Sequence, residues 1–187
     1  DSLRFHNEES LYEQAISKML VDEDIFVTSE NRYALSMLYY AEKRILDFFT
    51  RRKDEKNRKI IATFDEYLIK KQETLGFELS TEQKKAVELI NNGDKTLFLI
   101  GYAGTGKSTS SRAILELLEE TMSYDDIMTI ALSGIASQRI SDTTGYNSST
   151  IQSLLMKHKE KDFFPYKAIL LDEASMVNSV TFNQIVS

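Results

Sequence analysis

Eight consecutive residues carry the clearest chemistry in this chain: Gly101-Tyr-Ala103-Gly104-Thr105-Gly106-Lys107-Ser108. The pattern G-x-x-x-x-G-K-S is that of a phosphate-binding loop. Glycines allow the tight turn that points successive backbone N–H groups at phosphate oxygens. A helix beginning at the end of the loop adds its positive N-terminal end at the same place. Lys107 is placed to reach the β- and γ-phosphates, and the Ser108 hydroxyl to ligate Mg²⁺. Gly101, Ala103, Gly104, Thr105, Gly106, Lys107, Ser108 and Thr109 are thus the residues expected to hold ATP. The flanks fit: the apolar run Thr96–Ile100 reads as a short buried strand before the loop, and Thr109–Glu120 as the helix after it.

A second constellation lies about 65 residues further on, where the apolar run Ala168–Leu171 ends in Asp172-Glu173. Two acids at the carboxyl end of a strand can divide the remaining work. Asp172 can hold Mg²⁺, usually through water, and Glu173 can polarise the water that attacks the γ-phosphate. Ser175 stands where a GTPase would have the glycine of Asp-x-x-Gly, so the pair disfavours that class. Lys107, Asp172 and Glu173 form the expected catalytic set, with Ser108 and Asp172 as metal ligands.

Positioning these groups requires strands alternating with helices. Ile127–Leu132 reads as a second buried strand, followed by Ser133-Gly134 and a helix from Ile135 to about Ser141. Residues 142–149 read as a polar loop, and a short helix capped by Ser149 or Thr150 follows. Ala168–Leu171 is the third strand. This alternation predicts an α/β domain with a parallel sheet covered on both faces, binding ligands at the carboxyl ends of its strands. Upstream, Ser80-Thr-Glu-Gln83 is a capping box opening a helix to Asn91, which gives Gln83 a structural role. The first part reads as helix (residues 9–21), hairpin (Ile25–Val27 and Arg32–Leu35) and long amphipathic helix (Ser36–Arg52), a winged-helix-like unit. Residues 60–73 read as one more helix. The charged run Arg51–Lys59 reads as a solvated helix end or linker. A boundary near residue 72 divides this mostly helical unit (1–72) from an ATPase domain (73–187).

Composition narrows the class. The chain has 187 residues, 42% of them hydrophobic, with seven glycines, one proline and no cysteine. Lack of cysteine excludes disulfides and thiolate metal sites, and fits a reducing cytoplasm. No run of eighteen apolar residues suggests a membrane span. A net charge of −6 argues against strong non-specific attraction to DNA, without excluding a local groove.

Five segments, in order and spacing, resemble the Q motif and motifs I, Ia, Ib and II of a superfamily-one helicase. They are Leu79–Val87, Gly101–Ser108, Ala131–Arg139, Ser149–Leu155 and Leu171–Val177. The Asp-Glu-Ala-Ser-Met form of the last, with this phosphate loop, is similar to the RecD-like branch, known also as exodeoxyribonuclease V alpha-subunit-like. The segment before the motor, with Ala41–Ile45, is also similar to that of the longer RecD-like proteins. The resemblance implies a RecA-like P-loop fold and an ATP-driven translocase that moves 5′ to 3′ on single-stranded DNA, unwinds duplex, and acts in recombination or repair. Helicase–nuclease complex subunits are among the partners it implies. Gln83 would then read the adenine edge, and Ser133, Gly134, Thr150 and Gln152 would face DNA phosphates and bases, Gln152 standing where this branch often has histidine. The second RecA-like domain and its arginine finger lie outside residues 1–187. The chain by itself is therefore expected to be a monomeric, nearly inactive half-motor. A P-loop repair ATPase with a ligand other than DNA, and a nucleotide-sensing DNA-binding regulator, remain the alternatives. Nothing supports a nuclease site, since no carboxylate–lysine cluster is visible.

Overall fold

A computed structural model describes residues 2–102 and 104–187. Their packing groups them into two units, residues 2–48 with 178–187, and residues 49–177. The boundary read near residue 72 falls inside the second of these.

The first unit has the helix, hairpin and second helix read from the sequence, with the first helix beginning at Ser2 and not at residue 9. Helix α1 spans Ser2–Val21, strands β1 (Ile25–Val27) and β2 (Tyr33–Leu35) form an antiparallel hairpin, and α2 spans Ser36–Arg52. The hairpin turn closes by Thr28 N–H donating to the Arg32 carbonyl at 2.7 Å, with Asn31 in the left-handed region at φ 57°. Asparagine tolerates that conformation better than most residues. Phe26 sits edge-on to Tyr39 with ring centroids 4.4 Å apart, and Ile25 and Ala41 are buried. Helix α8 (Ser179–Val186) completes this unit; Asn178 caps it, and the Ser179 hydroxyl is 3.2 Å from a Glu42 carboxylate oxygen.

The second unit holds the candidate site. Helices α3 (Phe64–Leu75), α4 (Thr81–Asn91) and α5 (Lys107–Leu118) precede strand β3 (Ile127–Ala131). Then come α6 (Gly134–Thr144), β4 (Ser148–Thr150), α7 (Ile151–Lys157) and β5 (Ala168–Leu171), which leads into a 3-10 turn at Ala174–Met176. The sheet order is β4-β3-β5, with both pairings parallel. Every residue of β3 is buried, as a central strand covered on both faces requires.

Two expectations are corrected. Residues 148 and 149 are not loop: with Thr150 they add β4 to the sheet in register with Thr129–Ala131, and α6 runs three residues beyond Ser141. Residues 96–100 form no strand ladder among the described residues. Their side chains still alternate. Leu97 and Leu99 pack on the α4–α5 cluster of Ala86, Val87, Ala113, Ile114 and Leu117, while Phe98 and Ile100 are exposed at 60% and 95%. An apolar run predicts burial, but a strand also needs a hydrogen-bonding neighbour. The described residues that pair with β5 come from β3 alone.

Helix α5 is central because it is apolar on more than one side. Ala113, Ile114 and Leu117 face α4, and Leu115 packs with Ile127 and Tyr146. Buried Asn91, at the end of α4, fixes the preceding chain. Its Oδ1 accepts from Ile61 N–H at 2.8 Å and its Nδ2 donates to the Ile61 carbonyl at 3.2 Å. No helix among the described residues is long and apolar enough to cross a membrane.

Candidate functional site

The loop preceding α5 is shaped by glycine. Gly104 and Gly106 have φ values of 80° and 78°, a region that side chains with a Cβ rarely adopt. Gly106 is also the residue that caps α5, and having no side chain it leaves the first N–H groups of the helix without a side-chain acceptor. Open amides at a helix start are what an anion needs. Around this turn Lys107 folds back, its Nζ donating to the Gly101 carbonyl at 2.6 Å and the Tyr102 carbonyl at 2.7 Å. Thr105 Oγ1 donates to the same Tyr102 carbonyl at 2.8 Å. The ammonium therefore lies against the loop backbone. Ser108 is exposed and Thr109 half-buried in the first turn of α5. Ala103, expected among the phosphate contacts, lies outside the described residues.

Gln83 ties α4 to this loop. Ser80 Oγ accepts from Gln83 N–H at 3.3 Å and Gln83 Oε1 accepts from Ser80 N–H at 2.8 Å, the reciprocal capping box. The other end of the same amide, Nε2, donates to the Gly106 carbonyl at 3.2 Å. A Cβ at Gly106 would collide with that nitrogen.

The acids stand at the sheet edge. β5 pairs with β3 as far as Ile130 and Leu171, and Asp172 N–H donates to the Ile130 carbonyl at 2.9 Å. Asp172 Oδ1 accepts from Glu173 N–H at 3.0 Å, and Glu173 adopts φ 53°. Among the described residues no ion pair or hydrogen bond joins either acid to Lys107 or Ser108. Both instead meet Arg139 of α6, whose Nη2 is 2.7 Å from Glu173 Oε1 and 3.3 Å from Asp172 Oδ2. The two carboxylates, Glu173 first, push the already high basicity of the guanidinium further up. Arg139 falls within one of the helicase-like segments, but nothing in the sequence assigned it a role. The signal was its place in the helix that follows β3, from which a side chain can reach the end of the neighbouring strand.

The same edge carries the residues expected to face DNA. Ala131 aligns with Thr150 and Ile130 with Leu171, so the ends of all three strands fall within one residue of each other. Ser133 caps α6 by accepting from Ala136 N–H at 3.2 Å, and Thr150 caps α7 by accepting from Ser153 N–H at 3.1 Å. A capping hydroxyl uses its oxygen as acceptor and keeps its hydrogen for a further bond. Gly134 and Gln152 are exposed beside them.

Ser108 and Asp172 are hard oxygen donors of the kind Mg²⁺ takes, though no contact joins them, and no cluster of three ligating His, Cys, Asp or Glu exists, among the described residues. A cation held by so few protein groups must complete its shell with water and phosphate oxygens, as Mg²⁺ does. The guanidinium resting on the two acids is a cation already standing at this edge.

A family model described as an AAA domain matches residues 78–187. The ATP-dependent RecD2 DNA helicase of Deinococcus radiodurans is 28% identical over 163 residues, covering 80% of this chain and 21% of that protein. The ATP-dependent DNA helicase RRM3 of Saccharomyces cerevisiae is 31% identical over 112 residues, 54% of this chain and 16% of that protein. The conjugal transfer protein TraA of Rhizobium radiobacter is 25% identical over 190 residues, 94% of this chain and 17% of that protein. The chain spans about a fifth of the length of these relatives.

Proposed function

The chain belongs to the AAA-domain family whose model it matches, consistent with a fragment of a RecD-like superfamily-one helicase, and from that premise we propose that it is the first ATP-binding motor domain of a DNA helicase. The observation that carries this reading is the start of α5. A glycine in the left-handed region leaves the helix amides open, and Lys107 lies folded across the loop beside them. Phosphate oxygens would replace the Gly101 and Tyr102 carbonyls as acceptors for the ammonium, a stronger charge-assisted bond than a neutral carbonyl offers.

Each residue then has a role. Gly101, Ala103, Gly104, Thr105, Gly106 and Thr109 supply the backbone and side chains that line the phosphates. Ser108 and Asp172 hold Mg²⁺, which when bound neutralises charge building on the transferred phosphoryl group. Glu173 accepts the proton of the attacking water. Gln83 reads the adenine edge while keeping its capping bonds, because each amide atom can make a second contact. Ser133, Gly134, Thr150 and Gln152 offer hydroxyl, amide and backbone donors to a single DNA strand along these strand ends. Residues 1–72 act as a winged-helix-like accessory to the motor. In the longer protein, hydrolysis drives movement on single-stranded DNA in recombination or repair.

Two isosteric substitutions test the division of labour. Glu173→Gln should keep Mg²⁺-dependent binding of ATP and lose turnover in the longer protein, whereas Asp172→Asn should weaken the Mg²⁺-dependent binding itself. The same binding defect in both would refute the assignment.

A further inference from the structure

Arg139 has no part in the roles above, yet it makes the only charged contacts observed for Asp172 and Glu173 among the described residues. Its side chain is 61% exposed, and the two acids are 32% and 37% exposed. Ion pairs in such a setting contribute little to folding, so stability does not explain the arrangement. The geometry is also uneven. Glu173 is held closely at 2.7 Å, while Asp172, the acid assigned to the metal, is held at 3.3 Å, with its other oxygen taken by Glu173 N–H at 3.0 Å. Glu173 keeps φ 53°, a conformation costing a non-glycine residue free energy that its partners must offset. The guanidinium is carried on α6, whose capped first turn at Ser133 lies at the strand ends, and the Arg139 carbonyl is fixed by the Thr143 hydroxyl at 2.7 Å. The arginine thus stands where it stands because the helix does.

We propose that Arg139 is a resident counter-cation of the Asp172–Glu173 pair, which Mg²⁺ must displace from Asp172 when Mg²⁺–nucleotide binds. This rests on the assignment of Asp172 to the metal. Like charges cannot share one carboxylate edge without cost, so each arriving Mg²⁺ binds more weakly than it would to unoccupied acids. Arg139 is a positioning residue, since it acts on the two acids and not on the nucleotide. The long contact at Asp172 makes that the bond to yield first, leaving the short one to orient Glu173.

The test is the affinity of the chain of residues 1–187 for a fluorescent ATP analogue, measured with Mg²⁺ and again in EDTA. The ratio of the two affinities isolates the metal's contribution from that of the phosphate loop. Arg139→Gln should raise this ratio by about 1.5- to fivefold, the yield of no longer breaking one exposed ion pair at Asp172, with the EDTA affinity unchanged. Arg139→Lys, which keeps the charge, should restore a ratio near the parent's. Thermal melting checks that both variants are folded, as the exposure of Arg139 leads us to expect. Asp172→Asn should abolish the Mg²⁺ enhancement in either background. If it does, and Arg139→Gln leaves the ratio unchanged or lowers it, the counter-cation role is overturned while the metal assignment stands. If Asp172→Asn leaves the enhancement intact, the metal assignment fails and the counter-cation role with it.

Discussion

Adding one methyl group at each of two loop glycines separates backbone strain from a specific contact. Gly104 and Gly106 share nearly the same φ, 80° and 78°. A Cβ at Gly104 would meet nothing within 4 Å, so Gly104→Ala reports the left-handed conformation alone, about 1–2 kcal/mol. A Cβ at Gly106 would meet the Gln83 amide nitrogen. The flexible amide can swing away, but it then loses its bond to the Gly106 carbonyl, which a neutral hydrogen bond prices at about 0.5–1.5 kcal/mol. Gly106→Ala should therefore cost about 1.5–3.5 kcal/mol in all. For a chain of this size that lowers the melting temperature by roughly 3–14 °C, against about 2–8 °C for Gly104→Ala. Urea titration of the two variants, in the parent and in a Gln83→Ala background, gives the comparison. With Gln83 gone the two costs should converge. A difference that persists in the Gln83→Ala background would refute the claim that this amide buttresses the phosphate loop.

Three further outcomes follow from other parts of the molecule. Asn91→Leu strands both backbone groups of Ile61, which Asn91 alone satisfies by side chain, and should cost about 2–4 kcal/mol by denaturant titration; a loss under about 1 kcal/mol would contradict that pinning role. His158 is buried, edge-on to Phe164 and Tyr166 at 5.8 Å, with neither ring nitrogen bonded, and burial, aided by Lys161 and Lys157, lowers its pKa. Its folded state resists protonation, so the stability it confers is complete above the unfolded value near 6.5 and is lost as pH falls through the lowered folded one. Denaturation midpoints should drop less between pH 7.5 and 5.5 in His158→Phe than in the parent, and equal slopes would refute it. Ser133→Ala and Thr150→Ala should each cost about 1 kcal/mol as lost helix caps and should also weaken oligonucleotide binding in the longer protein; a stability loss with unchanged DNA affinity would reduce both hydroxyls to caps.

Much of this site is legible in the sequence because its chemistry is local. Gly101–Ser108 needs only its own glycines and the helix behind it, and the Ser80–Gln83 capping box closes within four residues. β5 followed by Asp172-Glu173 lies where its apolar run put it. What is not legible depends on partners distant in the chain. Residues 96–100 have the alternation of a strand, but no local signal tells whether a neighbour supplies hydrogen bonds. Ser148 and Ser149 are polar and read as loop, with Thr150 as a helix cap, yet β3 recruits all three as a strand. Arg139 meets Glu173 across 34 positions, a pairing that follows from the β3–β5 register and from no spacing. Likewise, the second partner of Gln83 is the carbonyl of Gly106, 23 residues away.

The central claim is that the loop before α5 binds the phosphates of ATP, and Lys107→Ala tests it most directly. Lys107 is half-buried and, among the described residues, bonds only to the Gly101 and Tyr102 carbonyls, so its removal should leave the melting temperature of the ligand-free chain within about 3 °C of the parent. Calorimetric titration with Mg²⁺–ATP should show affinity reduced at least about tenfold, as expected when a charge-assisted phosphate bond is lost. A variant that melts like the parent and binds Mg²⁺–ATP equally well would contradict the account.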